Sequence, residues 1–236
     1  MGFLLPVKMK KIIVISLGGS LIFPDKININ LLKKFKKIIL ANTNKYKFIV
    51  VCGGGSPARK YINALKEEKV NELYQSYIGI SATRTNARFM NYFFNKDAER
   101  GIPHILESVE RELKEHDVVF CGALEYKPNQ TSDATSAEIA NHFKTEFINL
   151  TLVAGLYDKN PLDHKNAKFI PKISWTDFEK MIKKIKFKPG QHFVLDQSAA
   201  SIIKRHRIKT YILGKNLNNL DNFLKEKKFT GSVIEG

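Results

Sequence analysis

Residues 47–61, KFIVVCGGGSPARKY, join an apolar run to a triple glycine and then to the start of a helical pattern. The apolar run is short and rich in β-branched residues, which predicts a buried strand. The glycines from Gly53 to Gly55 predict a tight turn, while Ser56 and Pro57 are typical of an N-cap and of a first helical position. The segment therefore predicts a strand, a glycine turn and a helix, which is the repeating unit of a parallel sheet.

The same unit recurs along the chain. Apolar runs predict strands, and stretches with apolar residues at a period near 3.6 predict helices between them. The predicted strands are Lys10–Leu17, Lys47–Cys52, Asp117–Cys121, Glu146–Val153, Lys209–Gly214 and an edge strand in GSVIEG, residues 231–236. The predicted helices are Leu31–Ile39, Pro57–Leu65, Leu73–Phe94, Asp133–Phe143, Trp175–Ile185 and Asp196–His206. The alternation predicts an α/β fold with a mostly parallel sheet that helices cover on both faces.

Three of the predicted strands end in glycine-bearing loops. These loops are LGGSL with Gly18 and Gly19, the triple glycine, and a segment from Gly122 that leads to a helix near Asp133. Glycine lets backbone N–H groups approach a phosphate closely, and the N-terminus of the following helix adds a favourable dipole. Because the carboxyl ends of parallel strands meet at one edge of a sheet, we expect the three loops to form one phosphate-binding crevice. Neither GxxxxGK[ST] nor GxGxxG is present, so the loops match neither the Walker nor the dinucleotide-binding fingerprint.

Charged side chains accompany two of these loops. Arg59 and Lys60 follow the triple glycine on the first turn of a helix, where a side chain can reach back to a bound phosphate. Asp133 is the only carboxylate in QTSDATSA, beside the hydroxyls of Thr131 and Ser132. It could be a cap that the helix dipole favours, or it could orient cationic groups or Mg²⁺ around a transferring phosphoryl group.

Bulk properties limit the class of protein. The chain has 236 residues and a formal net charge of +16, which suits a protein that handles polyanions but also suits a lysine-rich solvated surface. No run of interleaved arginine and aromatic residues predicts a nucleic-acid platform.

The two cysteines, Cys52 and Cys121, end apolar runs, which predicts small buried residues and a reducing, cytoplasmic setting. No apolar run approaches the roughly 20 residues of a membrane span. Residues 1–9 are expected to be a disordered lead-in, and residues 10–236 a single domain.

The order of motifs resembles the amino-acid-kinase superfamily, and in particular its archaeal uridylate kinase branch. The matching segments are GGGSPARKY (Gly53–Tyr61), IGISATRTNA (Ile78–Ala87), TSDA (Thr131–Ala134), GLYDKNP (Gly155–Pro161) and VLDQSAASII (Val194–Ile203). The resemblance implies a three-layer αβα sandwich around a sheet of about eight strands, with an acceptor lobe over 10–145 and an ATP lobe over 146–236. It also implies a kinase that uses ATP with Mg²⁺ as phosphoryl donor and UMP as acceptor, and a homo-oligomer of the hexamer type built from dimers.

The resemblance also implies roles for individual residues. Asp133 and Arg59 would be catalytic. ATP would contact Gly19, Ser20, Gly55, Arg59, Thr151, Tyr157 and Asn160. UMP would contact Gly54, Ser76, Tyr126, Lys127, Pro128, Asn129, Gln130, Thr131 and Ser132.

The chain departs from the family pattern at several of these positions. Ser16 stands where many members have a phosphate-binding lysine, and Ser76 stands where the family usually has an aspartate for the ribose. Leu152 and Ala154 replace an asparagine and an aspartate after Thr151, while Asn160 replaces another aspartate. A leucine cannot supply the hydrogen bonds of an amide. These departures bear on substrate and donor specificity more than on the fold.

Three alternatives to an active uridylate kinase follow. The chain could phosphorylate another small phosphate such as isopentenyl phosphate, although no histidine follows the second glycine loop, where that kinase has one. It could be a relative that binds nucleotide or oxyanion without turnover, which Leu152 would favour. A nucleic-acid-binding role would depend on the net charge alone.

Overall fold

The computed structural model describes residues 9–98, 101–127, 131–184 and 194–236. Its strands are β1 (Lys11–Leu17), β2 (Tyr46–Cys52), β3 (Val118–Cys121), β4 (Phe147–Leu150), β5 (Leu156–Tyr157), β6 (Phe169–Ile170), β7 (Lys172–Ile173), β8 (Thr210–Leu213) and β9 (Ser232–Ile234). Its helices are α1 (Gly19–Ile22), α2 (Ile29–Ala41), α3 (Gly55–Glu67), α4 (Glu72–Phe93), α5 (Leu106–Glu115), α6 (Ser132–His142), α7 (Trp175–Lys183), α8 (Gln197–His206) and α9 (Asn218–Leu224). The α/β fold that the sequence predicts is confirmed.

The main sheet has seven strands in the order β3-β2-β1-β4-β8-β9-β7, and β5 pairs with β6 in a separate two-stranded ribbon. All neighbours in the main sheet are parallel except β8 and β9, which are antiparallel. The prediction of an edge strand at the end of the chain is wrong, because the short strand β7 pairs with the outer side of β9. The prediction of about eight strands is close: seven strands form the main sheet, and two more form the ribbon.

Helices α1, α5 and α9 were not predicted from the sequence, and α3 begins earlier than predicted. Gly54 is the N-cap of α3, and Ser56 lies buried in its first turn. The prediction that Ser56 caps this helix is wrong because the helix already begins at Gly55, which places Ser56 inside its first turn. The backbone N–H of Ser56 donates to the carbonyl of Phe23.

Each face of the sheet buries its own apolar cluster. One cluster contains Ile13, Phe35 and Phe48, and the other contains Val14, Ile49 and Phe147. Alternate residues of β1 and β2 therefore point into opposite layers, as expected for a sheet covered on both sides. Cys52 and Cys121 are free thiols with no exposed surface, which confirms that they are core residues. Among the helices that the structure describes, none has the length and hydropathy to cross a membrane.

The register of the central strands positions the loops that follow them. Leu17 of β1 pairs with Cys52 of β2 and with Leu150 of β4. The three strands therefore end at the same level, and their loops leave the sheet side by side. This edge of the sheet holds the candidate site.

Candidate active site

The first two glycine loops are in direct backbone contact. A Cβ atom added to Gly19 would lie 2.0 Å from the backbone nitrogen of Gly55, and one added to Gly53 would lie 2.4 Å from the backbone nitrogen of Gly19. No side chain fits in such a gap, so these positions require glycine for close approach as well as for turn geometry. Gly55 also has a φ of +67°, which disfavours residues with a Cβ. The two loops therefore form one continuous backbone surface at the carboxyl ends of β1 and β2.

A cleft of about 180 Å³ opens above this surface. The sequence-predicted residues that line it are Gly19, Ser20, Gly54, Gly55, Arg59, Ser132, Asp133 and Thr151. Asn149, Val153, Leu162 and Val194 also line it and were not predicted. The N-terminus of α3, with Gly54 and Gly55, lines the cleft and is suited to bind anions, as expected of a phosphate loop.

Arg59 and Lys60 differ in position. Arg59 lines the cleft, and its Nη1 lies 3.4 Å from the Ser20 hydroxyl of the first loop. Lys60 is exposed and is not among the lining residues. The guanidinium of Arg59 can therefore contact a ligand on the glycine surface, whereas the ammonium of Lys60 points elsewhere.

Asp133 is held at the base of the cleft on the first turn of α6. The Ser16 hydroxyl of β1 donates a hydrogen bond of 2.7 Å to its Oδ1. Burial raises the pKa of Asp133 to about 7, the negative charge of Asp196 adds to this rise, and the hydrogen bond from Ser16 opposes it. The carboxyl group thus titrates near neutral pH beside the glycine loops.

Thr131 caps α6 and contacts the carboxylate of Asp196, which was not predicted to belong to the site. Its hydroxyl oxygen accepts from the backbone nitrogens of Asp133 and Ala134, at 3.2 and 3.4 Å, and its proton is donated to the carboxylate of Asp196. Asp196 is itself the N-cap of α8 and accepts from the Ala199 nitrogen at 2.9 Å. An aspartate directly before a helical pattern is a typical N-cap, so the sequence could indicate that Asp196 caps α8. Nothing in the sequence indicates that Asp196 also contacts Thr131.

The segment IGISATRTNA lies on α4 and supports the glycine loops from behind. The Asn86 side-chain amide donates to the carbonyl of Gly53 at 2.7 Å, and the Thr83 hydroxyl accepts from the Ala123 nitrogen at 2.9 Å. The Arg84 guanidinium donates to the carbonyls of Ala123 and Leu124. These contacts fix the second and third loops relative to each other. Burial lowers the pKa of Arg84 from its ordinary value, since the guanidinium is enclosed by the loop it holds.

Two residues predicted to contact ATP do not line the cleft. Tyr157 packs its ring against Phe169 with centroids 5.4 Å apart, and the Asn160 amide donates to Asp163 at 2.6 Å. The Leu162 backbone nitrogen donates to the Asn160 side-chain oxygen at 3.1 Å, and Leu162 itself lines the cleft. The segment GLYDKNP thus contributes to the cleft through the turn that Asn160 holds.

Four residues predicted to contact UMP are also not among the lining residues: Ser76, Tyr126, Lys127 and Thr131. The Ser76 hydroxyl donates to the Glu72 carbonyl of its own helix at 3.0 Å. Tyr126 packs edge to face on Tyr77 at 5.3 Å, and Lys127 pairs with Glu138 at 2.8 Å. The predicted residues Pro128, Asn129 and Gln130 lie outside the described residues.

The amino acid kinase family matches residues 11–214 of the chain. The uridylate kinase of Thermoplasma volcanium is 34% identical over 229 residues, which cover 96% of this chain and 99% of that protein. The uridylate kinase of Thermococcus kodakarensis is 32% identical over 230 residues, which cover 94% of this chain and 99% of that protein. The crystal structure of the uridylate kinase from Archaeoglobus fulgidus has a TM-score of 0.80 at 32% identity, covering 96% of this chain and 100% of that one. The UMP kinase from Ureaplasma parvum has a TM-score of 0.78 at 19% identity, with coverage of 97% and 100%, and shows the shared fold alone.

Proposed function

The chain belongs to the amino acid kinase family, and on that premise we propose that it transfers the γ-phosphoryl group of ATP to UMP. A phosphate oxygen of UMP attacks the γ-phosphorus, the bond from that phosphorus to the β,γ-bridging oxygen breaks, and UDP and ADP leave. Relatives named uridylate kinases match nearly the whole chain, and this similarity supports UMP as the acceptor.

The observation that carries the proposal is the cleft itself. Two glycine loops in backbone contact, one guanidinium and one carboxylate face the same space. Phosphoryl transfer requires little covalent work from a protein, because catalysis is mostly positioning and electrostatic stabilisation. The backbone N–H groups and Arg59 would hold the phosphates, and Asp133 would orient the cationic groups around the transferred phosphoryl.

We propose that ATP contacts the cleft-lining residues Gly19, Ser20, Gly55, Arg59 and Thr151, and that Leu152 and Leu162 form apolar contacts beside it. We assign the phosphate of UMP to Gly54 and Ser132. The roles predicted for Tyr157, Asn160, Ser76, Tyr126, Lys127 and Thr131 stay predictions. Thr131 acts at least as the cap of the helix that carries Asp133.

Mg²⁺ would enter with ATP. Mg²⁺ is usually bound through substrate phosphates and one or two carboxylates, and it keeps several waters. The described residues contain no group of three or more histidine, cysteine, aspartate or glutamate side chains that could hold a metal ion. An Mg²⁺ ion bound to ATP needs fewer protein ligands than a metal held by the protein alone. Asp133, which lies beside the phosphate loops, would supply one such carboxylate. The metal would neutralise charge on the phosphates when bound.

We further propose a single domain over residues 10–236, with an acceptor lobe over 10–145 and an ATP lobe over 146–236, that acts in the cytoplasm as a homo-oligomer of the hexamer type. Exposed tyrosines on α3 and α4, such as Tyr61, Tyr74 and Tyr92, support a contact between copies on this side of the molecule. Light scattering at several protein concentrations would test the assembly.

A coupled ADP-release assay tests the reaction. It would use ATP, Mg²⁺ and a panel of UMP, CMP, AMP and isopentenyl phosphate. We expect the highest kcat/KM with UMP. A higher value with another acceptor would contradict the choice of substrate, and nucleotide binding without turnover on any acceptor would favour a non-catalytic role.

A further inference from the structure

Asp196 connects the N-termini of two helices through its two carboxylate oxygens. Oδ1 accepts from the Ala199 nitrogen and caps α8. Oδ2 accepts from the hydroxyl of Thr131, the cap of α6, although 65 residues separate the two in sequence. One half-buried side chain thus joins a helix of the acceptor half to a helix of the ATP half.

The connection continues from Thr131 to Asp133. Because the Thr131 hydroxyl gives its proton to Asp196, its oxygen lone pairs are free to accept from the nitrogens of Asp133 and Ala134. The Asp133 carboxylate then accepts from Ser16 of β1. Asp196 therefore fixes the proton direction of the hydroxyl that caps the turn bearing Asp133.

The segment that carries Asp196 is itself anchored to the sheet. Asn149 of β4 is buried, and its side-chain amide donates to the carbonyl of Val194. Asn149 pairs in register with Ser16 of β1. The contact of Asn149 with the Asp196 segment and the contact of Ser16 with Asp133 therefore start from neighbouring residues of the sheet. The arrangement closes a loop of contacts around the base of the cleft.

The placement of Asp196 carries an electrostatic penalty. Its negative charge raises the pKa of Asp133, so the two carboxylates repel each other when Asp133 is ionised. A neutral cap such as asparagine or serine would satisfy α8 equally well without this repulsion. The carboxylate contributes something that a neutral cap does not: an acceptor with no protons for the Thr131 hydroxyl.

We propose that Asp196 is a positioning residue for phosphoryl transfer, which holds the first turn of α6 so that Asp133 faces the transferred phosphoryl. This inference rests on the proposed kinase activity. Asp196 acts through Thr131 and does not line the cleft. Replacing it should therefore lower kcat rather than substrate affinity.

Three variants test the connection. Asp196→Asn keeps an oxygen that can cap α8, but its NH₂ group donates to Thr131 where the carboxylate accepted, which competes with the cap of α6. Thr131→Val removes the hydroxyl at nearly constant shape, and Thr131→Ser restores it. Asp177→Asn is a matched control, because Asp177 accepts from the cap hydroxyl of Ser174 at 2.8 Å on α7 and is not among the cleft-lining residues.

The readouts are kcat and KM for ATP and UMP, together with amide hydrogen exchange at Ala134 measured by NMR. For Asp196→Asn and Thr131→Val we expect kcat to fall about tenfold to a hundredfold, the scale of a small misplacement at a reacting centre, with both KM values within about threefold. Exchange at Ala134 should become faster in both variants. Thr131→Ser should recover most of the kcat that Thr131→Val loses, because it restores the hydroxyl. Asp177→Asn should behave like the unchanged protein.

Wild-type kcat in Asp196→Asn, or a rise in KM with kcat unchanged, would overturn the proposal. So would failure of Thr131→Ser to restore kcat. If the unchanged protein does not phosphorylate UMP, the proposed function fails, and faster exchange at Ala134 in Asp196→Asn still decides whether Asp196 holds the turn.

Discussion

The Ser16 hydroxyl of β1 donates a 2.7 Å hydrogen bond to the carboxylate of Asp133 at the start of α6, across 117 residues of sequence. Ser16 is fully buried. A hydroxyl offers one hydrogen bond but no positive charge, so it offsets only part of the burial of Asp133. The hydrogen bond from Ser16 therefore eases the ionisation of Asp133, against the larger effects of burial and of the Asp196 charge.

Removing the hydroxyl should make Asp133 harder to ionise. The bond from Ser16 lowers the pKa of Asp133, so Ser16→Ala should raise that pKa further above its present value of about 7. If ionised Asp133 supports phosphoryl transfer, the pH at which kcat reaches half its maximum should move upward. The measurement is kcat between about pH 5.5 and about pH 9 with saturating ATP and UMP, a range that brackets the titration of this carboxyl group. Ser81→Ala, which removes an exposed hydroxyl on α4, is the control. An unchanged or lower midpoint would contradict this role of Ser16.

Asp133→Asn should lower turnover by about two orders of magnitude or more, which is the typical effect of removing one preorganised electrostatic group. At about pH 4, where the Asp133 carboxyl is protonated and uncharged like the amide, the melting temperature of the variant should stay within a few degrees of that of the unchanged protein. An unchanged rate would make Asp133 a helix cap only, and a collapse in stability would make it structural.

The same variant predicts a pH dependence of stability. The pKa of Asp133 is raised in the folded protein from the ordinary 3.8 to about 7. The contribution of protonated Asp133 to the free energy of unfolding is therefore fully present below pH 3.8 and is lost as the pH rises through about 7. The asparagine side chain of the variant cannot ionise, so the melting temperature of the variant relative to the unchanged protein should increase between about pH 4 and about pH 8. Thermal denaturation across this range checks the sign, and a decreasing difference would contradict it.

Arg59→Ala should weaken ATP binding by about tenfold or more, since a hydrogen bond to a charged group contributes roughly 1.5–3 kcal/mol. A guanidinium can bind two phosphate oxygens at once. Lys60→Ala is the matched control, because Lys60 is the next residue on the same helix but is exposed and away from the cleft. Isothermal titration calorimetry measures both, and equal effects would argue against the assignment of Arg59.

Leu152→Asn tests whether the cleft has been rebuilt around a leucine. Leu152 lines the cleft and packs against one of the two core clusters, so its side chain already makes apolar contacts that an asparagine would lose. We expect the asparagine to raise the KM for ATP about fivefold, which corresponds to a loss of roughly 1 kcal/mol of apolar contact. Leu40→Asn, an exposed position on α2, is the control. A lower KM would mean instead that Leu152 weakens a site built for an amide.

The sequence alone determined the parts of this protein that depend on local patterns. The glycine loops, the helix after the triple glycine and the strand positions follow from residue type and from periods of about 2 and 3.6, which act over a few neighbours. Arg59 and Asp133 could be selected because each stands one helical turn or less from a predicted glycine loop or helix start. Parallel strands then imply that these loops meet, and the structure brings Gly19 and Gly55 into contact.

Only the tertiary structure decided which distant residues complete the site. Asp196 reaches Thr131, Asn86 reaches Gly53, and Leu162 takes the place at the cleft that was predicted for Asn160. The burial of β9 inside the sheet was likewise decided by the pairing of β7 with its outer side. Such contacts depend on the order and register of strands and on the exact approach of loops. These contacts cannot be predicted from sequence periodicity. A polar residue near a helix start gives the same local sequence pattern whether or not a distant side chain contacts it in the folded protein.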